Sequence, residues 1–477
     1  MPEILKNDIA KGITWSAIER FSIQGVQFVL GLILARLISP MDYGLIAMLG
    51  IFIALCQVFI DSGFSNAIIQ KKDRTDIDYS TAFYFNIVVS VFTYSLLYVV
   101  SPYIASFYKE PLLEIIIKFI GLNLIISSFS LIQRSILTIA LDFKTQAKCS
   151  LISVIMSGSI GIFLAWKDYG VWALVTQSLL NNLLNTILLW IYASWKPLWG
   201  FSVASFKSLF FFGSKILAGA VLACVYDNMY SLIIGKMYSA VDVGFFTRAR
   251  MLASFPSDNI GNIVARVAYP ILCNVQNDRE KLNGILMQYI GMTAYLIFPL
   301  MIGMSILSKP LVICLLTNKW LPIADLITII TIASLWHPIS YINWQMLNVI
   351  GRSDLSLKTE IIKRTIAFII LFSTISFGLK AISFGLVAYF IIEFLIILYY
   401  LKSVFNITYK SVFLRVLPAM YLSVFMGISV YLCSNLLVGD WSKLCFGTLC
   451  GIVTYIIFSQ LSGNRDFKFI RAIIIKK

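Results

Sequence analysis

The sequence predicts an all-α integral membrane protein with about fourteen transmembrane helices. Of its 477 residues, 59% are hydrophobic and only 13% are charged, whereas soluble domains are about a quarter charged. Apolar stretches of about 20 residues, the length of helix that crosses a bilayer, recur along the chain. Stretches this long favour helices over the shorter, alternating strands of a membrane β-barrel.

The apolar stretches set the approximate bounds of the spans. In chain order these are 13–35, 43–69, 79–100, 111–133, 146–166, 170–191, 209–235, 243–270, 282–307, 323–349, 355–376, 381–401, 413–433 and 442–461. An even number of spans places both ends of the chain on one side of the membrane.

The positive charges indicate which side that is. If the N-terminus is cytoplasmic, the cytoplasmic segments hold 24 Lys and Arg residues, Lys363 and Arg364 among them, and the opposite loops hold 8. Because cytoplasmic loops are enriched in Lys and Arg, both termini are predicted to be cytoplasmic. Topology thus explains most of the net charge of +15, and no nucleic-acid partner is predicted.

A short motif occurs twice, 200 residues apart. RLISPMDYG at 36–44 and KMYSAVDVG at 236–244 both place a base, Ser, Asp and Gly at the same spacing. Two weaker matches follow in the same order: ALDFKTQAK at 140–148 with IGRSDLSLK at 350–358, and KDYGVWALV at 167–175 with KAISFGLVA at 380–388. The offset between the copies therefore drifts from 200 to 210 to about 215 residues, as small loop insertions would produce.

The repeat predicts two lobes of six helices each. The predicted domains are residues 1–191 (N-terminal lobe, helices 1–6), 192–208 (cytoplasmic linker), 209–402 (C-terminal lobe, helices 7–12) and 403–477 (helices 13 and 14 with a basic cytoplasmic tail). Because six is even, both copies enter the membrane in the same direction, so the lobes are expected to be related by a pseudo-twofold axis along the membrane normal. Two such lobes would enclose a cleft able to open to either side.

Polar side chains inside the spans indicate what lines that cleft. A charge at the membrane centre costs roughly 2.5–3.5 kcal/mol on insertion scales, so it normally meets a partner or water. Residues four apart share a helix face, and span 8 carries a polar stripe of Arg250, Ser254, Asp258, Asn262 and Arg266. The surplus of bases predicts an anionic substrate group, because guanidinium can bind phosphate oxygens bidentately. The candidate anion-binding residues are Arg20, Lys215, Arg248, Arg250 and Arg266, and the other candidate cleft residues are Glu19, Gln24, Asp227, Asp258 and Asn262.

Several of these residues have a second interpretation. Glu19, Asp227 and Asp258 each have a base nearby, so they either line the cleft or pair between helices. Arg248 and Arg250 lie about 200° apart around the helix, so one of them is expected to contact lipid headgroup or protein instead. Asn181, Asn182, Asn185, Gln177 and Trp344 either supply hydrogen bonds and a stacking face to a sugar or belong to the core. Lys118 is expected to pair with Glu114.

Three titratable residues are candidates for ion coupling: Asp258, Glu393 and His337. Glu393 has no evident partner in span 12. His337 precedes Pro338 on a face with Tyr341, where it is either a satisfied polar residue at a Pro kink or a proton switch.

No metal or cofactor is predicted, and no GxxxxGK[ST] phosphate loop occurs to indicate ATP hydrolysis. Membrane potential, H⁺ or Na⁺ would then supply the energy.

The N-terminal region resembles a known family. WSAIERFSIQGVQFVLGLILARLISPMDYGLIAML, followed by FIDSGFSNAIIQ, is similar to the Wzx-type polysaccharide flippases of the multidrug/oligosaccharidyl-lipid/polysaccharide exporter superfamily. The resemblance covers most of the chain and implies two six-helix lobes arranged as a V. In the lipid II flippase, a relative, basic residues lie on helices 1, 2 and 8. Arg20 on span 1 and Arg248 and Arg250 on span 8 match that placement. Span 2 differs, because it has no base between residues 43 and 69. Spans 13 and 14 resemble the pair that forms a lipid groove in that relative, although packing is an equal alternative.

The resemblance implies a transporter, not an enzyme. Its expected substrate is an undecaprenyl-diphosphate-linked oligosaccharide, carried across the bacterial inner membrane by alternating access for assembly of O-antigen, capsule or exopolysaccharide. Membrane lipids and, as further partners, polysaccharide polymerase and chain-length proteins are implied. The alternatives are a multidrug/cation antiporter of the same superfamily, which would need an acidic cavity, and a membrane polysaccharide polymerase, which would need a large catalytic loop.

Overall fold

The structure is a computed structural model that describes residues 22–61, 63–405 and 407–475. These residues are almost entirely helical and include no β-strand, which confirms the predicted all-α class. Within them, eleven helical segments are long and apolar enough to cross a membrane, and some of these combine two or three consecutive helices.

The other three of the fourteen predicted spans do not meet that criterion, so the predicted number is not confirmed. Span 1 corresponds to the shorter apolar helix Ser22–Leu37, and its first residues, 13–21, lie outside the described part. Spans 8 and 11 correspond to helices Ala240–Asn274 and Ser353–Thr374, which carry several charged residues each. Both are long enough to cross a bilayer if their charges meet water or a partner.

The chain divides into two compact units, residues 1–244 and 245–477. The boundary follows directly after the second copy of the repeated motif at 236–244. The predicted lobes follow the sequence repeat, which is a different criterion from compactness, so their bounds stay a prediction.

Unit 1 consists of ten helices among its described residues, followed by the first turn of an eleventh. They are α1 (Ser22–Leu37), α2 (Pro40–Asp61), α3 (Phe64–Gln70), α4 (Asp76–Tyr108), α5 (Leu112–Ile120), α6 (Leu122–Ser128), α7 (Leu131–Ile139), α8 (Phe143–Trp166), α9 (Val171–Tyr192) and α10 (Val203–Met237). An aromatic cluster joins α3, α4 and α10, with Phe64 stacked on Phe85 at 4.8 Å between ring centroids.

Unit 2 contains the rest of α11 and nine further α-helices among its described residues. They are α11 (Ala240–Asn274), α12 (Arg279–Ile306), α13 (Ser308–Leu315), α14 (Ile323–Ser334), α15 (His337–Val349), α16 (Ser353–Thr374), α17 (Leu379–Phe405), α18 (Tyr409–Leu436), α19 (Asp440–Leu461) and α20 (Arg465–Ile475). The core is built around α12, whose fully buried residues include Leu286, Ile290 and Phe298. Predicted span 10 is two helices, because α14 ends before Pro338 and α15 begins beside it.

Short polar residues begin several of these helices. The side chains of Asp142, Ser202, Asp278 and Thr408 each accept a hydrogen bond from the backbone N–H three residues later, at the starts of α8, α10, α12 and α18. Such N-caps satisfy N–H groups that have no partner within the helix.

The helix starts follow the sequence repeat. Helices α2 and α11 begin at 40 and 240, and α8 and α16 begin at 143 and 353, which are the offsets of 200 and 210 that the motifs predict. The third predicted offset is too large: α9 and α17 begin at 171 and 379, each directly after a glycine with positive φ, Gly170 and Gly378. Gly170 of the first copy thus corresponds to Gly378 of the second. The alignment of KDYGVWALV with KAISFGLVA is therefore displaced by a few residues.

The two copies of the repeated motif contact each other within unit 1. Each copy forms the same cap, in which the serine hydroxyl donates to the aspartate at 2.6 Å: Ser39 to Asp42, and Ser239 to Asp242. A Cβ built on Gly44 would overlap the carbonyl oxygen of Ala240, and one built on Gly244 would overlap that of Pro40. Only glycine fits at either position, and the contact is reciprocal.

Candidate functional site

The polar stripe predicted on span 8 is present on α11. Arg250 and Ser254 are half-buried, and Asp258, Asn262 and Arg266 are exposed. Because α11 has 35 residues, enough to cross a bilayer, lipid around this face would leave the charges without solvation. We therefore expect the stripe to face water.

Arg248 lies away from this stripe. It is only 7% exposed, and its Nη1 lies 3.5 Å from Sδ of Met251. The helical angle between Arg248 and Arg250 already required that the two side chains diverge. Of the pair, Arg250 continues the exposed stripe.

Asp258 and His337 face each other across α11 and α15. Ser257 donates to the carbonyl of Ser334 at 2.9 Å, and a Cβ on Gly261 would lie only 3.4 Å from Pro338, so the elements are in close contact. His337 Nδ1 and Asp258 Oδ1 are 3.7 Å apart, with both side chains partly exposed. A metal would need more ligands, and the described part of the chain contains no group of three His, Cys, Asp or Glu residues suited to one.

A row of aromatic rings leads from His337 along α15. The ring of His337 is parallel to that of Tyr341 at 6.5 Å, and Tyr341 is parallel to Trp344 at 6.0 Å. The Nζ atom of Lys363 lies 5.9 Å from the Trp344 ring centroid. The row therefore connects the Asp258–His337 pair to a second charged cluster.

That cluster is a buried ion-pair network between α16 and α17. Lys363 Nζ lies 3.0 Å from Glu393 and 2.6 Å from Glu360, and Arg364 lies 3.3 Å from Glu360. The interpretation that Glu393 has no evident partner was wrong, because Glu393 pairs with Lys363. Lys363, which the sequence analysis counted among the bases of the cytoplasmic segments, is a buried residue within α16. A partner 30 residues away cannot be found from helical spacing.

The remaining predicted cleft residues lie in the N-terminal half of the chain. Glu19, Arg20 and the side chain of Lys215 lie outside the described residues. Gln24 is half-buried on α1, and Asp227 is exposed on α10. The predicted local pair is confirmed, since Lys118 lies 2.7 Å from Glu114.

Unit 1 contains a partly open cavity of about 550 Å³ whose lining includes several amide and hydroxyl side chains. We call it the amide pocket, and its polar residues are Gln57, Asn123, Ser127, Ser130, Arg134, Ser178, Asn182 and Asn185. Asn182 and Asn185 were predicted as sugar-binding candidates. Asn123 was not predicted, because it comes from another helix and belongs to no pattern within that helix.

Two further cavities lie in unit 2. A groove of about 880 Å³ between α18, α19 and α20 is lined mainly by apolar residues such as Leu417, Tyr421 and Phe425. Its lining also includes Arg415, which pairs bidentately with the buried Asp466.

The second cavity, of about 720 Å³, is polar and includes Arg279 and Arg352. Arg352 binds both carboxylate oxygens of Asp354 at 2.8 Å, and these hydrogen bonds lower the pKa of Asp354 to about 2. Asp354 therefore neutralises Arg352 at physiological pH, which leaves Arg279 as the excess charge of the two arginines.

The sequence also matches a known family. Residues 33–325, more than half of the chain, match the family described as "Polysaccharide biosynthesis protein". The chain belongs to this family. The resemblance to Wzx-type proteins is thereby confirmed.

Relatives of this polysaccharide biosynthesis protein cover nearly its full length. It is 25% identical over 435 residues to the teichuronic acid biosynthesis protein TuaB of Bacillus subtilis strain 168, covering 90% of each chain. It is 24% identical over 430 residues to the lipopolysaccharide biosynthesis protein WzxC of Escherichia coli strain K12, covering 88% of this chain and 86% of WzxC.

Solved structures of similar fold are membrane transporters. The lipid II flippase MurJ, in an inward closed conformation, superimposes with a TM-score of 0.75 over 97% of this chain and 100% of MurJ, at 17% identity. A multidrug resistance MATE transporter in an inward-facing conformation gives a TM-score of 0.61 over 82% of this chain and 99% of its own, at 16% identity. The polysaccharide biosynthesis protein is thus a multi-pass membrane protein with a transporter fold.

Proposed function

We propose that this protein is a flippase for undecaprenyl-diphosphate-linked oligosaccharide repeat units. It moves them from the cytoplasmic to the periplasmic leaflet by alternating access, for the assembly of surface polysaccharide. Membership of the polysaccharide biosynthesis family, relatives named for teichuronic acid and lipopolysaccharide biosynthesis, and the fold of a lipid II flippase support the proposal.

The observation that carries it is the exposed stripe on α11. Taking a sugar through hydrocarbon would strip water from many hydroxyl groups, at a cost of about 2–7 kcal/mol for each one left without a hydrogen bond. Asp258, Asn262 and Arg266 are exposed side chains on a membrane-length helix. They supply a hydrated polar surface on which a headgroup keeps its hydrogen bonds.

The diphosphate is proposed to bind arginine side chains. Arg250 and Arg266 lie 16 residues apart on the stripe, about 24 Å along the helix axis, so each would bind the diphosphate in turn through its bidentate guanidinium group. Arg20, Lys215 and Arg248 are retained in the proposed set from the sequence; of these, Arg248 is the one that the structure shows to be buried.

The prenyl tail is proposed to occupy the groove between α18, α19 and α20. Its apolar lining suits an isoprenoid chain, and burial of such a chain is favourable by about 0.8 kcal/mol per CH₂ group. The Arg415–Asp466 pair adds a polar site to the lining of this groove.

Energy is proposed to come from the membrane. Outward movement of negative charge is favourable by about 2.3 kcal/mol per charge per 100 mV when the inside is negative. Asp258 with His337, or Glu393 with Lys363, are the proposed positions for coupling to H⁺ or Na⁺. The protein would act in the bacterial inner membrane with both termini cytoplasmic, alongside polymerase and chain-length proteins.

Export of cationic drugs is the less favoured function. The MATE likeness concerns the fold alone, whereas the family and both relatives above are named for polysaccharide biosynthesis.

The test is genetic complementation with quantification of the lipid-linked glycan. In a strain lacking the protein, the undecaprenyl-linked repeat unit should accumulate inside and surface glycan should fall. The wild-type gene should reverse both, and the double variant Arg250→Gln, Arg266→Gln should reverse neither. Arg471→Gln, an exposed arginine in α20, is the matched control and should behave as wild type. Full surface glycan with the double variant would refute the proposed role of the stripe.

A further inference from the structure

We infer that the amide pocket of unit 1 is a saccharide subsite that binds the neutral, hydroxylated part of the repeat unit. Arg134, at the same cavity, would bind an anionic oxygen group attached to it. The inference rests on the proposed function and assigns a binding site that the diphosphate contacts do not explain.

The pocket is a rigid polar site within a largely apolar bundle. Asn123, only 7% exposed, uses both ends of its amide: Nδ2 donates to Ser178 at 3.0 Å, and Oδ1 accepts from Asn182 at 2.7 Å. Ser127 donates to Gln57 Oε1 at 3.0 Å. These bonds join α2, α6 and α9, so the side chains are held in place before any ligand binds.

The polar groups of these side chains that the hydrogen bonds above do not use include both donors and acceptors. Gln57 keeps its NH₂ group, Ser178 keeps its O–H, and Asn182 keeps its carbonyl oxygen. In the described part of the chain, Asn185 Oδ1 is buried and has no hydrogen-bond partner.

A mixed set of this kind selects for a class of ligand. A phosphate offers acceptors and needs donors, whereas an ammonium offers donors and needs acceptors. A sugar hydroxyl is donor and acceptor at once, and neighbouring hydroxyls on a ring can engage both ends of one amide. Among the described lining residues there is no carboxylate that would attract a cation.

The size of the cavity is also suitable. Its volume of about 550 Å³ falls within the roughly 300–1,000 Å³ of small-molecule sites. Apolar residues such as Leu49, Ile53 and Ile120 line the rest of the cavity, and they match the C–H faces of a pyranose ring.

Arg134 adds one charge to this otherwise neutral site. It is exposed, lines the cavity, and forms no ion pair with the described residues. An anionic partner could be a uronic acid carboxylate in the glycan or a phosphate of the lipid carrier. Both offer the planar or tetrahedral oxygen groups that guanidinium binds.

The test measures binding to the purified full-length protein in lipid nanodiscs by saturation-transfer NMR and titration calorimetry. The probes are maltose, a glucuronic-acid-containing disaccharide and inorganic diphosphate. Asn182→Leu removes the central amide, and Ala54→Phe fills the cavity without removing a hydrogen bond. Asn181→Leu is the matched control, because Asn181 neighbours Asn182 but does not line the cavity. Thermal unfolding of each variant verifies that it is folded.

We expect wild type and Asn181→Leu to bind both disaccharides and the two pocket variants to bind each at least about tenfold more weakly, as loss of one or two hydrogen bonds implies. Arg134→Gln should abolish any preference for the glucuronate probe if the anion is a carboxylate, and should weaken diphosphate binding if it is the carrier phosphate. Either result supports the subsite and identifies the anion.

Two results would overturn the inference. One is wild-type protein that binds neither disaccharide; the other is Ala54→Phe protein that is folded and binds both as wild type does. If either result is obtained while surface glycan still depends on the protein, the proposed flippase function stands and only the subsite is refuted. If deletion of the gene leaves the glycan unchanged, the proposed function itself fails.

Discussion

Lys363 donates a hydrogen bond to Glu393 at 3.0 Å in the interior of unit 2, where Lys363 is 6% and Glu393 8% exposed. Glu360 contacts the same ammonium group at 2.6 Å. The network explains why α16, though long enough to cross a membrane, is less apolar than its neighbours. Glu393 of α17 and Glu360 of α16 neutralise Lys363 and Arg364, so these charges do not need bulk water.

Replacement of Lys363 should therefore be strongly destabilising. Lys363→Met leaves the Glu393 carboxylate buried without its partner, and breaking a buried pair in this way costs about 3–5 kcal/mol. Lys363→Met, Glu393→Gln should recover most of that loss, because no buried charge then stands alone. Thermal unfolding in detergent measures both; a Lys363→Met variant as stable as wild type would show that the pair is not needed for folding.

Gly44→Ala should disrupt the contact between the two copies of the repeated motif. The added Cβ would overlap the carbonyl of Ala240, so the backbones must separate. We expect lower thermal stability and reduced surface glycan, and Gly244→Ala should have the same effect through Pro40.

The matched control for these two variants is Gly219→Ala on α10. A Cβ there meets nothing within 4 Å, and alanine is favoured over glycine in a helix by about 0.5–1 kcal/mol. This variant should be as stable as wild type or more so. Equal behaviour of Gly44→Ala and Gly219→Ala would mean that the close contact has no effect.

Reporter fusions should place Lys319 and Lys358 on opposite sides of the membrane. Lys319 lies in the turn before α14, Lys358 lies near the start of α16, and α14 with α15 separates them. A periplasmic reporter such as alkaline phosphatase should be active at Lys319, and a cytoplasmic one at Lys358. The same side for both would contradict the predicted topology.

Two Arg–Asp pairs of the same bidentate geometry should differ in their effect on stability. Asp466 is 3% exposed and binds Arg415, whereas Asp354 is exposed and binds Arg352. Asp466→Asn should lower the free energy of unfolding by about 1–3 kcal/mol, since a hydrogen bond to a charged group is lost from a buried site. Asp354→Asn should have little effect, because water already solvates both partners.

Trypsin accessibility offers a second measurement on Asp466→Asn. Arg415 joins α18 to α20 through Asp466, so loss of the pair should expose the C-terminal helix to cleavage. Unchanged cleavage together with unchanged unfolding would show that other contacts hold α20.

Local features of the fold were predictable from the sequence, whereas contacts between distant segments were not. Apolar length predicted the helices, and spacing of four predicted both the α11 stripe and the Glu114–Lys118 pair. Each of these depends only on helical geometry.

The Lys363–Glu393 pair and the amide pocket depend on how helices meet, which no single helix reveals. Lys363 was counted among the bases of the cytoplasmic segments because Lys and Arg are enriched there, and its burial against α17 was not predicted. Asn182 and Asn185 stood out as part of an asparagine cluster, but Asn123, the partner of Asn182, lies about sixty residues earlier in an apolar stretch. Burial of a single amide in such a stretch gives no periodic signal.

The reciprocity of the Gly44 and Gly244 contact bears on the origin of the chain. Each copy of the motif offers the other the same surface, a glycine against the carbonyl that begins the opposite helix, as in an isologous interface of a twofold dimer. A half-length ancestor carrying one copy could thus have associated with an identical chain, and duplication and fusion of its gene would have preserved a contact that already existed between separate molecules.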